Sequence, residues 1–232
     1  MHYDAAAPLC PQGTPMLKKV LIGLAVAILA LVGVIAAQPS TYRVERSAMV
    51  AAPADVVFAQ VNDFHKWGAW SPWNKMDPNQ KVTIDGAGSG QGAKYAWAGN
   101  AQVGEGRMTI EESKAGELVR IKLEFLKPWE STSPTSFTFK PVEGGTQVTW
   151  AMDGTHNFVG KAFTLVMDMD AMLGKDFDAG LASMKAIAEA EAKQLEEARK
   201  VAEAEAAKKA TEEAAAAAAA QPAAAPVAET TE

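Results

Sequence analysis

The stretch Val119–Phe125, VRIKLEF, alternates apolar and charged residues at every position. Because successive side chains of a β-strand point to opposite faces, this pattern predicts a strand with one buried and one solvated face. The same period of two recurs between residues 81 and 152, at 82–85, 107–111, 136–139 and 147–152. Glycine-containing turns separate several of these stretches, at 86–92, 115–117 and 143–145. Together with a first strand at 42–50, the pattern predicts an antiparallel meander of about six or seven strands.

The residues that flank this sheet are predicted to be helical. A short helix opens at Ala52–Asp55 and runs to about Val61. After Gly160 the apolar spacing changes to steps of three and four, which predicts a long amphipathic C-terminal helix. Its stripe consists of Phe163, Met167, Asp170, Gly174, Phe177, Leu181 and Met184, flanked by Val166, Leu173 and Ile187. A sheet and a helix with matching apolar faces bury each other. We therefore predict an α+β helix-grip fold, in which the curled sheet wraps around the last helix and leaves a cavity.

Several motifs in these elements resemble one known superfamily. They are SAMVAAPADVVF at 47–58, Asp63 and WGAWSPW at 67–73, followed in the last helix by MD at 169–170, GKDF at 174–177 and GL at 180–181. The chain is similar here, over about residues 42–190, to SRPBCC proteins, in particular to the polyketide cyclase/dehydrase-like branch related to START lipid-transfer domains. The resemblance implies a helix-grip fold that binds hydrophobic ligands. Some members catalyse cyclisation or dehydration, but no catalytic motif of the family is carried over to this sequence.

An unbroken apolar stretch, Val20–Ala37, follows Lys18 and Lys19 near the N-terminus. At 1.5 Å per residue it would span about 27 Å, enough for the hydrocarbon core of a bilayer. A cleavable signal peptide is the alternative, because Val34–Ala36 resembles a small-residue cleavage site. The apolar region of a signal peptide is usually only about 7–15 residues long, which favours an uncleaved anchor. The positive-inside rule then predicts a single-pass protein of a bacterial-type inner (plasma) membrane, with a periplasmic or extracytoplasmic globular domain.

The predicted organisation has five parts. They are a disordered extension at 1–15, which precedes an alternative start at Met16, a transmembrane anchor at 17–38, the helix-grip domain at 42–188, an exposed charged Ala-rich helix at 189–220 and a disordered tail at 221–232. Alanine supplies 17 of the 35 residues from 186 to 220, and Glu–Lys pairs at i,i+4 support a helix there. Large residues at heptad core positions are missing, which favours a spacer over a coiled coil. A protein partner for the 189–220 helix stays an alternative.

The composition excludes several classes of function. The sequence has 22 basic and 28 acidic residues, and no segment carries the basic excess that binding to nucleic-acid phosphates requires. Cys10 is the sole cysteine, which excludes a disulfide framework and a thiolate metal cluster. The three histidines, His2, His65 and His156, lie far apart in sequence. We therefore predict no metal, no cofactor and no nucleic-acid partner.

Large apolar residues on the predicted inner surfaces are candidates for contact with a hydrophobic small molecule or lipid. Trp67, Trp70 and Trp73 would lie on one side of a short helix or 3₁₀ turn, where they would line a cavity mouth or fill it as core. The predicted ligand-contacting residues are Trp70, Trp73, Tyr95, Trp97, Phe125, Phe137, Trp150, Phe163 and Met167. Ordinary packing explains most of these positions equally well.

Asp170 and His156 are the candidates for acid–base catalysis. Asp170 falls on the apolar stripe, where a dry carboxyl group would have a raised pKa and would serve as a general acid or a ligand anchor. The alternative is a structural hydrogen bond or a place at the wet edge of the stripe, which is more common for such acids. His156 lies in a turn-like segment without an evident partner in the sequence.

Three functions remain open on this evidence. The first is a membrane-anchored binding domain for a hydrophobic small molecule or lipid, and an interior without a cavity larger than about 300 Å³ would count heavily against it. The second is a cyclase or dehydratase on the same fold, which requires Asp170 or His156 to point into the cavity beside a second polar group. The third is an envelope adaptor that acts through its C-terminal helix. We rank them in that order, and the first and third are compatible.

Overall fold

The computed structural model describes residues 15–219. The extension before Pro15, which contains Cys10, and the tail at 221–232 lie outside these residues. The helices are α1 (Pro15–Ala37), α2 (Ala54–Asn62), α3 (Trp67–Trp70), α4 (Pro72–Met76), α5 (Phe158–Phe163) and α6 (Met169–Ala219), with a 3₁₀ turn at Phe64–Lys66. The strands are β1 (Thr41–Val50), β2 (Lys81–Asp85), β3 (Lys94–Ala98), β4 (Glu105–Lys114), β5 (Leu118–Lys127), β6 (Ser131–Val142) and β7 (Gly145–Thr155).

The seven strands form one antiparallel sheet in the order β1-β7-β6-β5-β4-β3-β2. Strands β2 to β7 form a meander, as the period-two pattern predicts. Strand β1 is the edge strand next to β7 and pairs with it along its whole length. Each pair places apolar residues opposite each other on the inner face, for example Phe137 opposite Trp150. The glycine-rich segment 86–92 joins β2 to β3 as a loop.

Helix α6 lies against the inner face of the curled sheet and confirms the predicted helix-grip architecture. The buried side of α6 carries Phe177, Leu181, Met184 and Ala188, each no more than 2% exposed. These residues contact β1 on one side and α2, α3 and α4 on the other. The short helices thus form a second wall that holds α6 against the sheet.

The predicted apolar stripe is correct from Gly174 onwards and wrong for Phe163 and Met167. Helix α5 ends at Phe163, and α6 begins only at Met169, so the chain turns between them. Phe163 is 51% exposed and Met167 is 43% exposed. The turn interrupts the helical period, and these two residues therefore do not continue the face that Phe177 and Leu181 form.

The direction of α6 is set by one contact in the middle of β1 and one just beyond its C-terminal end. Near its start, Asp170 accepts hydrogen bonds from the Arg46 guanidinium. Farther along, the Glu189 carboxylate accepts a hydrogen bond from the Ala51 amide, just beyond the end of β1 (2.8 Å). Helix α6 therefore runs from the start of β1 towards its end, and the residues after Glu189 continue for about 45 Å beyond the sheet.

Helix α1 meets the globular part of the chain at its C-terminal end. The linker Gln38–Ser40 joins it to β1, and Ile35 is buried, unlike its neighbours in the helix. Lys161 of α5 donates a hydrogen bond from Nζ to the Ala36 carbonyl oxygen (3.2 Å). A cation at this position satisfies one of the free carbonyl groups at the end of a helix. Contacts between α1 and α5 thus hold the end of α1 beside one end of the sheet.

Replacement of Phe177 by alanine is expected to destabilise the domain. The ring is 1% exposed and stacks on Trp150, with ring centroids 4.0 Å apart. Loss of such a ring leaves a cavity, and the free energy of unfolding should fall by about 3–5 kcal/mol. Urea denaturation of the full chain in detergent solution, followed by near-ultraviolet circular dichroism, measures this change.

Leu195→Ala on the exposed part of α6 is the matched control, because Leu195 is 53% exposed. It should change the free energy of unfolding by no more than about 0.5 kcal/mol. Equal losses in the two variants would contradict the central role of Phe177.

Candidate functional site

An aromatic cluster occupies the space between the sheet and the helices. Seven of the nine predicted ligand-contacting residues belong to it, namely Trp70, Trp73, Tyr95, Trp97, Phe125, Phe137 and Trp150. Each ring lies within 6.4 Å, centroid to centroid, of another member of the cluster, which also includes Phe64, Trp67 and Phe177. The sheet alternation and the three-residue tryptophan spacing bring these rings together.

Trp150 is the centre of this cluster. Its indole lies between the ring of Phe177, parallel to it at 4.0 Å, and the ring of Phe137 at 4.7 Å. Trp70 and Trp73 meet it edge-on, at 5.8 Å and 5.7 Å. Edge-to-face and offset-stacked contacts are the favourable arrangements for aromatic rings. The rings of Trp70, Phe137 and Trp150 are fully buried core, which is one of the two alternatives that the sequence leaves open.

A second group of inner-face residues is only half covered. Trp97, Leu123 and Phe125 on the sheet and Trp73 on α4 keep part of their surface in solvent, and Phe125 packs edge-on against Trp97. The Trp97 ring lies over Gly106, its cross-strand neighbour, so closely that an added Cβ would come within 2.3 Å of the ring. These residues form what we call the apolar wall, at the end of the sheet where β5 turns into β6.

Among the described residues, two buried polar groups on the inner face of the sheet lack a partner, one on Trp150 in the core and one on Thr135, one position nearer the apolar wall. Within residues 15–219, neither the Thr135 hydroxyl nor the Trp150 indole N–H has a hydrogen-bond partner. By contrast, the indole N–H groups of Trp67, Trp70 and Trp97 each donate to a backbone carbonyl. Because buried polar groups are normally paired, two unpaired ones on the same face indicate a place where a ligand atom would be favourable. Thr135 lies opposite Met152 on β7, one inner-face position from Trp150.

Sequence reasoning missed Thr135, although a signal was present. Ser133 and Thr135 share the parity of Phe137 and Phe139, and all four side chains are buried. The alternation that predicts two phenylalanines on the inner face therefore predicts the two polar residues there as well. Attention to apolar side chains alone left this half of β6 out of the candidate site.

Two open hollows among the described residues lie outside the aromatic cluster. One, about 360 Å³, is bounded mainly by outward-facing residues of β1, β6 and β7, including Thr41, Thr132 and Thr155. The other, about 420 Å³, lies against the first turns of α6 and includes Met167. Neither hollow is the expected cavity between sheet and helix, because aromatic rings fill that space.

Asp170 does not meet the condition for a raised pKa. Its carboxylate forms an ion pair with Arg46, with Nη2 and Oδ2 2.9 Å apart, and its side chain is 55% exposed. Hydrogen bonds from Arg46 hold the pKa of Asp170 below its ordinary value of 3.8. The group is therefore deprotonated at neutral pH, and a general acid must carry a proton. Arg46 also approaches Asp178, so it links β1 to two turns of α6.

His156 lies between the start of β1 and α5. Its ring stacks on Tyr42, with centroids 4.7 Å apart, and its backbone N–H donates to the Ser40 carbonyl oxygen. Gly160 packs against the other side of the imidazole. These contacts give His156 a packing role at the junction between α1 and the sheet, away from the cluster around Trp150.

Comparisons with known proteins agree with this architecture. Residues 41–189 match the family model described as polyketide cyclase / dehydrase and lipid transport. Among proteins with curated descriptions, none matches the chain in sequence.

Several solved structures share the fold. The KanY protein (ms6282) is 15% identical and superposes with a TM-score of 0.51, covering 65% of this chain and 99% of its own. The di-domain ARO/CYC protein StfQ of the steffimycin biosynthetic pathway is 14% identical, with a TM-score of 0.50, covering 79% of this chain and 63% of its own. Protein CV1439 from Chromobacterium violaceum is 17% identical, with a TM-score of 0.47, covering 65% and 98%. At these identities the likeness to KanY and StfQ establishes the fold alone.

Replacement of Arg46 by methionine is expected to raise the pKa of Asp170 towards its ordinary value. The pKa of Asp170 is lower in the folded chain than in the unfolded chain, so the ion pair stabilises the fold at neutral pH. This stabilisation by the ion pair is lost as the pH falls through the lowered pKa of Asp170. The Arg46→Met variant lacks the ion pair, so its stability should not show this loss at low pH. Titration of the Asp170 carboxyl carbon by NMR measures the effect directly.

Arg43→Met is the matched control, because Arg43 lies on the same strand but pairs with Glu45 and Asp153. This variant should leave the pKa of Asp170 unchanged. An unchanged pKa in Arg46→Met would show that Arg46 is not the cause of the shift.

Proposed function

Because the chain belongs to the polyketide cyclase / dehydrase and lipid transport family, we propose that residues 42–188 bind a hydrophobic small molecule or lipid while α1 anchors them to a membrane. The main observation that supports this proposal is the apolar wall, together with the Thr135 hydroxyl and the Trp150 indole N–H, which have no hydrogen-bond partner among the described residues. An apolar wall in water is costly to leave uncovered, and unpaired buried polar groups are costly as well. One ligand with an apolar body and a polar group would relieve both costs.

The two unpaired atoms restrict the chemistry of the ligand. An indole N–H is a donor only, whereas a threonine hydroxyl both donates and accepts. A group that satisfies both must accept from Trp150, which favours an oxygen of a carbonyl, hydroxyl, ether or carboxyl group. The adjacent wall of Trp73, Trp97 and Phe125 suits rings or an alkyl chain. The proposed ligand is therefore apolar over most of its length and carries an oxygen acceptor.

The position of the wall supports entry from its open side. On β5 the inner-face residues Val119 and Ile121 are fully buried, whereas Leu123 and Phe125 are half covered. Thr135 lies opposite Ile121, at the boundary between these two halves. A ligand that approaches along Phe125 and Leu123 would thus reach Thr135 without displacing the packed half of the core.

Contacts at the end of α1 support an uncleaved anchor. Residues Met16–Ala37 are long and apolar enough to cross a membrane, a property that a signal sequence shares. Ile35 is buried, and Ala36 accepts the hydrogen bond from Lys161, so cleavage at the predicted site would remove groups that pack on the domain. With Lys18 and Lys19 on the cytoplasmic side, the domain lies on the extracytoplasmic side of the membrane.

Replacement of Thr135 by valine is expected to weaken ligand retention without weakening the ligand-free fold. The change removes the hydroxyl but keeps the shape of the side chain. Loss of one hydrogen bond worth ~1 kcal/mol corresponds to about fivefold weaker binding. Removal of an unpaired buried hydroxyl should leave the stability of the ligand-free chain unchanged or raised.

The measurement uses the full chain purified in detergent from its own host. Retained molecules are extracted into organic solvent, identified by mass spectrometry and expressed per mole of protein. Thr138→Val is the matched control, because Thr138 lies on the same strand but is exposed on the outer face. Equal amounts of the same molecule in both variants would place the ligand away from Thr135. The absence of any reproducible hydrophobic molecule in the unmodified chain would contradict the proposed function.

A further inference from the structure

Helix α5 and the turn after it expose an unusual amount of apolar surface. Phe158, Val159, Phe163, Leu165, Val166 and Met167 are between 41% and 81% exposed. We call these six residues the α5 patch. Lys161 is the one charged residue in the segment 157–167 that contains them. Soluble surfaces rarely concentrate large apolar side chains in this way, and such patches mark sites of interaction.

The α5 patch is continuous with the anchor. Helix α5 contacts α1, and Lys161, within the patch segment, binds the last turn of α1 through the Ala36 carbonyl oxygen. The linker between α1 and β1 is only three residues long, Gln38–Ser40. A chain that leaves the bilayer at Ala37 therefore holds α5 next to the membrane surface.

A second exposed apolar feature lies at the same end of the sheet. The turn between β5 and β6 carries Trp129, which is 76% exposed, and Leu126 at the end of β5 is 42% exposed. Thr132, three residues after Trp129, borders the same hollow as Thr41 at the start of β1. The β5–β6 turn, the start of β1 and α5 thus lie at the end of the sheet where α1 enters. Exposed tryptophan at such a position is typical of a membrane interface.

We propose that the α5 patch and the β5–β6 turn form a membrane-contacting surface that lies in the interfacial layer of the bilayer from which α1 emerges. This inference rests on the proposed membrane anchor and adds a second attachment to it. The occupant is the lipid surface, because α1 brings lipid to this end of the domain. The apolar side chains of the patch would enter the boundary between headgroups and acyl chains, and Lys161 would remain near the headgroups.

The second attachment fixes the orientation of the domain. A single helix and a three-residue linker would allow the domain to tilt, whereas contacts at α5 and Trp129 hold the edge of the sheet against the membrane. The apolar wall, with Phe125 four residues before Trp129, would then open close to the lipid. Helix α6 runs the other way, so its exposed end points away from the membrane.

The test measures the depth of single spin labels in the full chain. Cys10 is replaced by serine, and one cysteine is introduced by Val166→Cys, Trp129→Cys, Val26→Cys or Leu195→Cys. The labelled proteins are reconstituted into vesicles of phosphatidylcholine and phosphatidylglycerol. For each label, collision rates with oxygen, which enters lipid, are compared with those of a water-soluble nickel chelate. Leu195 is the matched control, because it is an exposed apolar residue on the part of α6 that points away from the membrane.

The expected oxygen-to-nickel ratio is highest at position 26 and lowest at position 195. At positions 166 and 129 the ratio should be severalfold higher than at position 195. A lipid-like ratio at 26 together with ratios at 166 and 129 equal to that at 195 would overturn the membrane-contacting surface while leaving the anchor intact. A water-like ratio at 26, or a purified chain that lacks the label at 26, would refute the anchor and this inference with it.

Discussion

The stack of Phe137, Trp150 and Phe177 is the interaction on which the rest of the structure depends. It joins β6, β7 and α6 in one column, with parallel rings 4.0 Å apart between sheet and helix. Gly180, one turn after Phe177, packs closely on both Trp150 and Pro72, so the same column also positions α4. Because α6 is held on the sheet here, its earlier turns reach Arg46 and its later turns reach Ala51. The stack therefore sets both the grip and the direction of the helix.

The sheet and the residues of its buried inner face could be predicted from the sequence because both depend on periodicity. Alternation along β5, β6 and β7 fixes which side chains share a face, and the tryptophan spacing places Trp67 and Trp70 on one side of their turn. What periodicity does not specify is where a helix begins. The step from Phe163 to Asp170 has helical spacing, yet the chain turns between α5 and α6. The spacing therefore predicts Phe163 and Met167 on the buried stripe of the last helix, whereas both are exposed.

The predictions about Asp170 and about the cavity depend on which side chains meet in the folded chain, and residue spacing does not reveal this. Arg46 is 124 residues from Asp170 in sequence, and their meeting requires β1 to pair with β7 and α6 to cross β1. Once they meet, charge pairing lowers the pKa that an apolar setting would raise. The space between sheet and helix depends in the same way on side-chain volume. Three tryptophans (Trp67, Trp70 and Trp150) and three phenylalanines (Phe64, Phe137 and Phe177) fill the core between the sheet and the helices, and the apolar surface that stays uncovered lies at the apolar wall.

The inner face of the sheet changes in character along its length, and this gradient connects the fold to the proposed function. Away from α1, the facing positions on β5 and β6 are Val119 with Phe137, both fully buried. Towards α1, they are Leu123 with Ser133, where an apolar side chain in partial contact with solvent faces a polar one. A domain built only for stability would pack both halves alike, since uncovered apolar area and unpaired polar atoms each cost free energy. The half with the uncovered apolar surface is also the half next to α1. Binding sites are commonly drawn from such less stable regions, because a ligand supplies the contacts that the chain itself omits.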